Sequence, residues 1–311
     1  MCLHFLKREV EIVCGKGVSP FIVGFWIKPF LKVYIMETPV VMPIKEAQPD
    51  DLEGRIHPNL PQPPSLICIY ASFRSGKSVL VNNMILSPLF LRGLLDRWYI
   101  FSPTAKNDDS CRFLLDEEGV EIIDEYSDEY LQAVLQYQME TPKEDRDAIG
   151  VVFDDAIQYL QSRFSIGNFL AVKFRHYNIK YLIYVSQSFK SLDTKIRANS
   201  KAVILMKIAN EREIEKIEEE YDGFLGGKFR ELYNYCLNDA PYSFMYINID
   251  ANPVEAWLRF EKKIYPSGDT PQTPSKQAEE AVPTAPKKKT RVSKKKKEQL
   301  ETMSEIKNRH Y

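Results

Sequence analysis

The chain has 311 residues, of which 44% are hydrophobic and 27% are charged, and its formal net charge is -1. Its length excludes a short binding peptide, and its composition excludes a wholly disordered or fibrous protein. The charge is unevenly distributed, because residues 266–311 carry 11 Lys and Arg against 6 Asp and Glu, whereas the rest of the chain carries 31 against 37. The 5 cysteines show no CxxC spacing, which argues against a zinc cluster and a disulfide framework and suits a reducing compartment.

The N-terminal part precedes any recognisable domain feature. Its longest uncharged run, Gly17 to Ile27, is far shorter than the roughly 20 residues that a spanning helix needs, so no transmembrane segment is expected. We interpret residues 1–48 as an N-terminal extension, and since Met36 and Met42 both lie within it, a later start codon would account for residues 1–35. Residues 49–65 are rich in proline and are expected to run extended over the surface as a lead-in.

Residues 66–265 show short apolar runs that alternate with helical patterns, which predicts a three-layer α/β domain with a mostly parallel central sheet. The predicted strands are Leu66–Tyr70, Trp98–Phe101, Val120–Ile123, Ile149–Phe153, Tyr181–Val185, Ala202–Met206 and Ser243–Ile249. The predicted helices are Lys77–Leu86, Ser127–Met139, a stretch ending near Phe174, Glu211–Tyr221 and Phe224–Cys236. Beyond residue 265 prolines and lysines replace large apolar residues, and residues 266–311 are predicted to be a disordered tail.

The loop after the first predicted strand carries a phosphate-binding pattern. The sequence from Ala71 to Ser78, ASFRSGKS, matches GxxxxGK[ST] except that Ala71 replaces the first glycine. Gly76 would allow close approach of the backbone, Lys77 would reach the β- and γ-phosphates of ATP, and the Ser78 hydroxyl would bind Mg²⁺. The alternative is an ordinary turn between a strand and a helix. The predicted nucleotide-binding residues are Ala71, Ser72, Phe73, Arg74, Ser75, Gly76, Lys77, Ser78 and Val79.

A pair of carboxylates ends the fourth predicted strand. Asp154 and Asp155 follow the apolar run Val151–Phe153, which places them where ligands of parallel α/β sheets collect. This pattern is typical of a Walker B motif, in which Asp154 would hold Mg²⁺ and Asp155 would orient and polarise the attacking water. The alternative is that the two aspartates cap the helix that follows.

Three further polar residues are catalytic candidates. Gln187 ends the fifth predicted strand and could sense the γ-phosphate or the lytic water, or it could serve only as a loop hydrogen-bonder. Arg175 and Arg197 lie on either side of that strand, and either could enter a neighbouring subunit's nucleotide site as an arginine finger. For each arginine the alternative is a surface ion pair.

Taken in order, these motifs resemble those of the genome-packaging ATPases of large DNA viruses and virophages. These enzymes belong to the FtsK–HerA superfamily of P-loop NTPases and include the poxvirus-type packaging ATPase. The resemblance covers about residues 55–250 and includes the run Ile100–Thr104. It implies a RecA-like fold with Lys77 and Ser78 at the nucleotide, Asp154 at Mg²⁺, Asp155 as base and Gln187 as sensor. It also implies a homo-oligomeric ring that drives double-stranded DNA into a preformed capsid.

The C-terminal tail contains a dense basic run. Such a run binds phosphates without reading sequence and also resembles a nuclear-localisation signal, while the third interpretation is a solubilising tail. The candidate DNA-binding residues of the tail are Lys287, Lys288, Lys289, Arg291, Lys294, Lys295, Lys296 and Lys297. The acidic helix from Asn210 to Asp222 is expected to expose its glutamates and to bury Ile214, Ile217 and Tyr221.

The sequence therefore predicts an ATP-hydrolysing, double-stranded DNA translocase that packages a viral genome, with ATP and Mg²⁺ as its cofactors. Its expected partners are DNA, further copies of the chain and a capsid vertex or packaging partner. It is expected inside an infected host cell, in a viral factory or the nucleus, and in association with virions. The alternatives are a P-loop nucleoside or nucleotide kinase and a non-catalytic nucleotide switch that binds DNA during assembly.

Overall fold

The computed structural model describes residues 52, 54–155, 160 and 165–266 and shows a mixed α/β domain built on a nine-stranded sheet. The strand order is β3-β2-β4-β5-β1-β6-β7-β8-β9. The strands are β1 (Ser65–Tyr70), β2 (Arg97–Phe101), β3 (Val120–Ile123), β4 (Ile149–Asp154), β5 (Ile179–Ser186), β6 (Ala202–Leu205), β7 (Met245–Asn248), β8 (Glu255–Leu258) and β9 (Lys262–Tyr265). The helices are α1 (Lys77–Leu86), α2 (Arg112–Leu115), α3 (Asp128–Glu140), α4 (Ile166–Lys173), α5 (Thr194–Ala198), α6 (Glu211–Tyr221) and α7 (Phe229–Asp239).

The first six strands are mutually parallel, and β7, β8 and β9 extend the sheet as antiparallel strands. The mostly parallel sheet predicted from the sequence is thus confirmed. Strand β5 pairs with β1 on one side and with β4 on the other, so it lies between the strand before the phosphate-binding pattern and the strand before the paired aspartates. All three candidate motifs therefore leave the sheet at the carboxyl ends of adjacent strands.

Successive residues of the central strands point to opposite faces, and each face has its own core. In β1, Leu66, Cys68 and Tyr70 belong to the core beneath α3, α4, α6 and α7, whereas Ile67 and Ile69 belong to the core beneath α1. Strands buried on both faces read as continuous apolar runs, which is the pattern that the sequence showed. The three-layer arrangement is confirmed.

Aromatic rings stack across the middle of the parallel strands. The Phe153 ring lies between those of Phe101 and Tyr184, with centroid distances of 5.1 and 5.0 Å and interplanar angles of 12° and 16°. The Tyr184 hydroxyl donates to the carbonyl of Gly167 at 2.6 Å, which ties α4 to the sheet. Since Asp154 follows Phe153 directly, this packing fixes the point from which the first carboxylate leaves β4.

The lead-in before β1 differs from the expectation of a surface segment. Leu52, Ile56 and Leu60 are buried in the core beneath α1, and the Tyr181 hydroxyl donates to the carbonyl of Pro61 at 2.7 Å. Burying the apolar side chains between the prolines lowers the free energy of the folded chain, because it removes apolar surface from water. This effect outweighs the tendency of a proline-rich stretch to remain solvated.

One predicted helix boundary was wrong, and two strands and two helices among the described residues were not predicted. Helix α7 begins at Phe229 rather than near residue 224, because Gly226 and Gly227 adopt positive φ angles that end the preceding turn. The short helices α2 and α5 and the antiparallel strands β8 and β9 have only four or five residues each, too few to show a clear period. The helix ending near Phe174 resolves into α4, which stops at Lys173, and a single 3₁₀ turn.

The acidic helix α6 buries Ile214, Ile217 and Tyr221, as predicted. Residues 1–48 and the tail from residue 267, including the basic run, lie outside the described residues, so the predictions for them stay predictions. Among the described helices none is both long and apolar enough to cross a membrane.

Candidate nucleotide site

The phosphate-binding loop is anchored on both sides by strands that follow it in sequence. The N–H of Ala71 donates to the carbonyl of Ser186 in β5 at 3.0 Å, and the N–H of Ser72 donates to that of Lys207 after β6 at 3.0 Å. Within the loop the Ser75 hydroxyl donates to the Ser72 carbonyl at 2.7 Å. The loop is therefore closed by its own hydrogen bonds and attached to the rigid part of the sheet.

Unusual backbone angles in the loop fall at the positions that need them. Gly76 has φ 93° and Arg74 has φ 59°, whereas Ala71 is not among the residues with positive φ. The alanine that replaces the first glycine of the pattern therefore needs none of glycine's freedom. Helix α1 begins at Lys77 with Gly76 as its N-cap and without a side-chain cap, so its free N–H groups suit an anion such as a phosphate.

The paired aspartates face the lysine of this loop. Asp154 ends β4 and Asp155 follows it with φ 50°. The Lys77 ammonium lies 3.5 Å from Asp154 Oδ1 and forms a closer ion pair with Asp155 Oδ2. Residues 156–159 lie outside the described part of the chain, so the alternative that the aspartates cap a helix stays open.

Asp154 is almost completely buried, with 8% of its surface exposed. Burial raises the pKa of its carboxyl, an effect that Lys77 opposes and Asp155 reinforces. Oxygen Oδ2 accepts a hydrogen bond from the Ser102 hydroxyl at 3.3 Å, while Oδ1 accepts none within the part of the chain that the structure describes. The cationic partner of Oδ1 is the Lys77 ammonium at 3.5 Å, and since this one ammonium serves two carboxylates, a further cation can neutralise the remaining negative charge.

Gln187 completes the cluster, because its Nε2 donates to Asp155 Oδ1 at 3.1 Å. The residues after Gln187 are held by helix α6. Glu213 Oε2 accepts from the Ser188 hydroxyl at 3.1 Å and from the Phe189 N–H at 2.8 Å. Burial would raise the pKa of Glu213, but hydrogen bonds from Lys216, the Phe189 N–H and Ser188 hold it below its usual range. The structure thus brings Lys77, both aspartates and Gln187 into direct contact.

A cavity of about 780 Å³ opens beside this cluster. The predicted residues that line it are Phe73, Arg74, Gly76, Lys77, Ser78 and Val79, together with Asp155. Ala71 is instead buried beneath the loop, and the Ser72 hydroxyl accepts from the N–H of Ala209 at 2.8 Å. The phosphate-binding loop therefore lines the cavity with residues from Phe73 onward and uses Ala71 and Ser72 for support.

Sequence reasoning missed several residues of the site. Asp108 lines the cavity, and hydrogen bonds from Ser110 lower its pKa, with Ser78 and the charge of Lys77 acting in the same direction. Tyr242 and Phe244 also line the cavity. Of the missed residues, only Ser102 could have been found from the sequence. It follows β2 directly, and a polar residue at the carboxyl end of a parallel strand can reach a carboxylate at the end of the adjacent strand.

The two candidate arginines have different surroundings. The Arg197 guanidinium pairs with Glu220 at 2.7 Å and lies 4.3 Å from the centroid of the Phe189 ring. Arg175 is exposed, packs only loosely at 5.6 Å from the Phe174 ring and forms no ion pair with the described residues. Arg197 therefore matches the ion-pair alternative, while Arg175 is free to contact another molecule.

The residues at the cavity fit a magnesium ion bound together with a nucleotide. Mg²⁺ prefers oxygen ligands and is commonly held by one or two carboxylates plus substrate phosphates. Ser78, which lines the cavity, and the carboxylate of Asp154, which contacts Lys77 of the cavity wall, supply such oxygens. The described residues contain no group of three or more His, Cys, Asp or Glu side chains that could hold a metal by themselves. The donor set therefore suits a metal that arrives with phosphate.

Comparison with known proteins gives matches among solved structures only. No protein-family profile matches the chain, and no curated protein matches it. The genome-packaging NTPase B204 of Sulfolobus turreted icosahedral virus 2, solved with AMP, matches 62% of this chain and 96% of its own at 14% identity and a TM-score of 0.46. The DNA-packaging ATPase B204 of Sulfolobus turreted icosahedral virus matches 63% of this chain and 97% of its own chain, at 15% identity and a TM-score of 0.46. EssC (ATPases 2 and 3) from Geobacillus thermodenitrificans matches 79% of this chain and 44% of its own chain, at 14% identity and a TM-score of 0.40. Viral genome-packaging NTPases and an EssC ATPase are thus among the solved structures to which this chain is similar.

Proposed function

We propose that the chain hydrolyses ATP and uses the hydrolysis to move double-stranded DNA into a viral capsid. The observation that carries the ATPase part is the contact of Lys77 with Asp154 and Asp155, with Gln187 bonded to the second carboxylate. A lysine at the start of a helix, two carboxylates and an amide at the ends of adjacent parallel strands are the groups that γ-phosphate hydrolysis requires. The resemblance of the motif order to viral packaging ATPases supports the coupling to DNA.

Each residue of the cluster has a part in the proposed reaction. The phosphate-binding loop and the first turn of α1 bind the β- and γ-phosphates through backbone N–H groups and Lys77. Ser78 and Asp154 would hold Mg²⁺, which supplies positive charge at the phosphate oxygens when it is bound. Asp155 orients the attacking water and accepts its proton, while Gln187 donates its amide hydrogen to Asp155 or to the γ-phosphate.

The ion pair of Lys77 couples nucleotide binding to activation of Asp155. In the structure the Lys77 ammonium is shared between the two carboxylates. A γ-phosphate competes for the same ammonium, because it is a stronger acceptor with more negative charge. When Lys77 turns to the phosphate, Asp155 loses its cationic partner and becomes available as a base. The site is thus inactive as a base until the substrate is bound.

We also infer a homo-oligomeric ring in which Arg175 acts on the neighbouring subunit. Arg175 precedes β5 and Gln187 follows it, so the eight residues of this strand put roughly 26 Å between the arginine and its own cluster. Arg175 therefore cannot serve its own site and is exposed for a contact in trans. The basic run at 287–297 is proposed to add contacts to DNA phosphates. A capsid vertex partner and a site of action in a viral factory or the nucleus complete the proposal.

The experiment is steady-state hydrolysis of ATP by the full chain, with and without long double-stranded DNA. The Asp155→Asn variant serves as the blank because it keeps a side chain of the same shape without the base. Hydrolysis above the blank that rises with DNA is the expected result, and the rise should depend less on salt when residues 287–297 are removed. Hydrolysis that ignores DNA would contradict the translocase and favour the kinase alternative. Equal rates for the wild type and the blank would contradict the ATPase itself.

A further inference from the structure

Tyr242 holds an unusual position at the mouth of the cavity. Its φ angle is 62°, in the left-handed region that a bulky side chain rarely adopts, and 71% of its surface is exposed. The ring packs against the phosphate-binding loop, since a Cβ added to Gly76 would lie 3.1 Å from Tyr242 Cδ1. A large aromatic ring held in a costly backbone conformation and left mostly in water has no stabilising role that its contacts reveal.

The backbone around Tyr242 is anchored, so the ring is presented from a fixed support. The Ser243 N–H donates to the carbonyl of Ala240 at 3.1 Å and closes the turn before β7. Phe244 is buried, and its carbonyl accepts from the N–H of Arg259 at 3.0 Å. The left-handed residue therefore lies between two restrained positions, and the surrounding structure keeps the ring over the cavity.

The lining of the cavity combines two kinds of side chain. Lys77, Ser78 and Asp155 are polar, whereas Met206, Tyr242 and Phe244 add apolar surface. A molecule that satisfies both kinds carries phosphates and a flat apolar group. Phosphates at the loop place the flat group beside Tyr242, because the ring already contacts the loop at Gly76. A nucleobase meets this description.

We propose that Tyr242 stacks on the base of the bound nucleotide and makes stacking area the main determinant of nucleotide choice. The inference rests on the proposed function, because it places the phosphates in the loop of Ala71–Ser78. Stacking is available to every base but grows with ring size. One candidate for hydrogen-bonding to the base, the Asn83 side chain at the cavity wall, already donates to the carbonyl of Val79 at 2.8 Å. The site should therefore prefer purines to pyrimidines and discriminate weakly between adenine and guanine.

The test compares ligands that share phosphates and differ in the base. Dissociation constants for ADP, GDP, UDP and inorganic pyrophosphate are measured by calorimetry on the wild type and on Tyr242→Gly and Tyr242→Phe. Glycine adopts the φ angle of this position without strain, so Tyr242→Gly removes the ring and is expected to fold. It should weaken ADP and GDP by roughly 5- to 150-fold and leave pyrophosphate within about twofold. Tyr242→Phe should bind all four ligands about as the wild type does, because its ring still stacks.

Each contrary result has a separate meaning. An unchanged dissociation constant for ADP in Tyr242→Gly would overturn the proposal, since the ring would then contribute nothing to the base. Equal weakening of ADP and pyrophosphate would also overturn it, since Tyr242 would then support only the phosphate loop. Failure of the wild type to bind ADP and pyrophosphate alike would overturn the proposed function together with this inference. Because that last result appears without any substitution, it is distinguishable from the other two.

Discussion

The two ends of the parallel strands differ in how their charged groups are paired. At the amino ends Arg97 pairs with one aspartate, Asp147, at 3.5 Å, and Asp96 accepts from the N–H of Ala148 at 2.8 Å. At the carboxyl ends one lysine, Lys77, pairs with two aspartates. Among the described residues the carboxyl ends thus place two carboxylates against one cation, which suits the binding of a further cation.

Backbone conformation follows the same division. Five non-glycine residues in the described part of the chain have positive φ, and three of them, Arg74, Asp155 and Tyr242, line the cavity at the carboxyl ends. Such conformations cost free energy and persist where the surrounding structure enforces them. The difference indicates that the apolar sheet supplies the stability that the carboxyl ends need in order to hold a strained site.

The largest effect is expected from the loss of Arg175, which precedes β5 and is proposed to act on the nucleotide site of a neighbouring subunit. Arg175→Ala should lower DNA-stimulated hydrolysis by roughly 10³- to 10⁵-fold, the range for loss of an arginine finger, without changing thermal stability. The matched variant Arg197→Ala removes an ion pair and a ring contact within the chain, so it should lower the free energy of unfolding by roughly 1–2 kcal/mol. Rates and unfolding curves of both variants check this.

Mixing experiments decide whether Arg175 acts in trans. Subunits carrying Arg175→Ala combined with subunits carrying Asp155→Asn should regain some hydrolysis, because certain interfaces then contain both intact groups. If Arg197→Ala abolishes the rate while Arg175→Ala retains it, the two arginines have been assigned the wrong way round.

A smaller effect is expected where the sheet supports the site. Gly150 lies in β4, and a Cβ there would lie 2.3 Å from Trp98 Cε3. The Trp98 ring also stacks on Tyr181, at 6.4 Å and 22°, which limits its movement. Gly150→Ala should therefore destabilise the fold by about 1–3 kcal/mol through overpacking. Gly223→Ala is the control, because no atom lies within 4 Å of the added carbon and φ is ordinary there. Equal denaturation midpoints for the two variants would contradict this packing argument.

The smallest effect concerns Glu213, which holds the residues after Gln187. Glu213→Gln weakens the bonds to Ser188 and Phe189 and should cost about 1–2 kcal/mol of unfolding free energy at neutral pH. The pKa of Glu213 is lower in the folded chain than in the unfolded one, so its stabilisation is complete above the unfolded value. The stabilisation disappears as the pH falls through the folded value. Thermal unfolding from neutral to acidic pH should show this loss for wild type against Glu213→Gln, while Glu215→Gln, exposed on the same helix, should differ little from wild type throughout.

The sequence predicted the site residues that lie in motifs at strand ends and missed those that reach the cavity from other loops. Lys77, Asp154 and Gln187 belong to short motifs at strand ends, and parallel strands necessarily bring such ends to one edge of the sheet. Tyr242 and Asp108 reach the cavity from loops whose approach depends on the order of the strands, which the linear sequence does not reveal. The contrast between Arg175 and Arg197 also required the structure, because only the fold shows that Glu220 and Phe189 engage Arg197.

The central claim is that the carboxyl ends of the parallel strands form the nucleotide site. Calorimetric titration of ATP into the wild type, Lys77→Ala and Lys201→Ala tests it most directly, because Lys201 pairs with Asp250 away from the cavity. We expect wild type and Lys201→Ala to bind ATP with similar dissociation constants and Lys77→Ala to lose most of the affinity. ATP binding that is equally tight in Lys77→Ala would contradict the account.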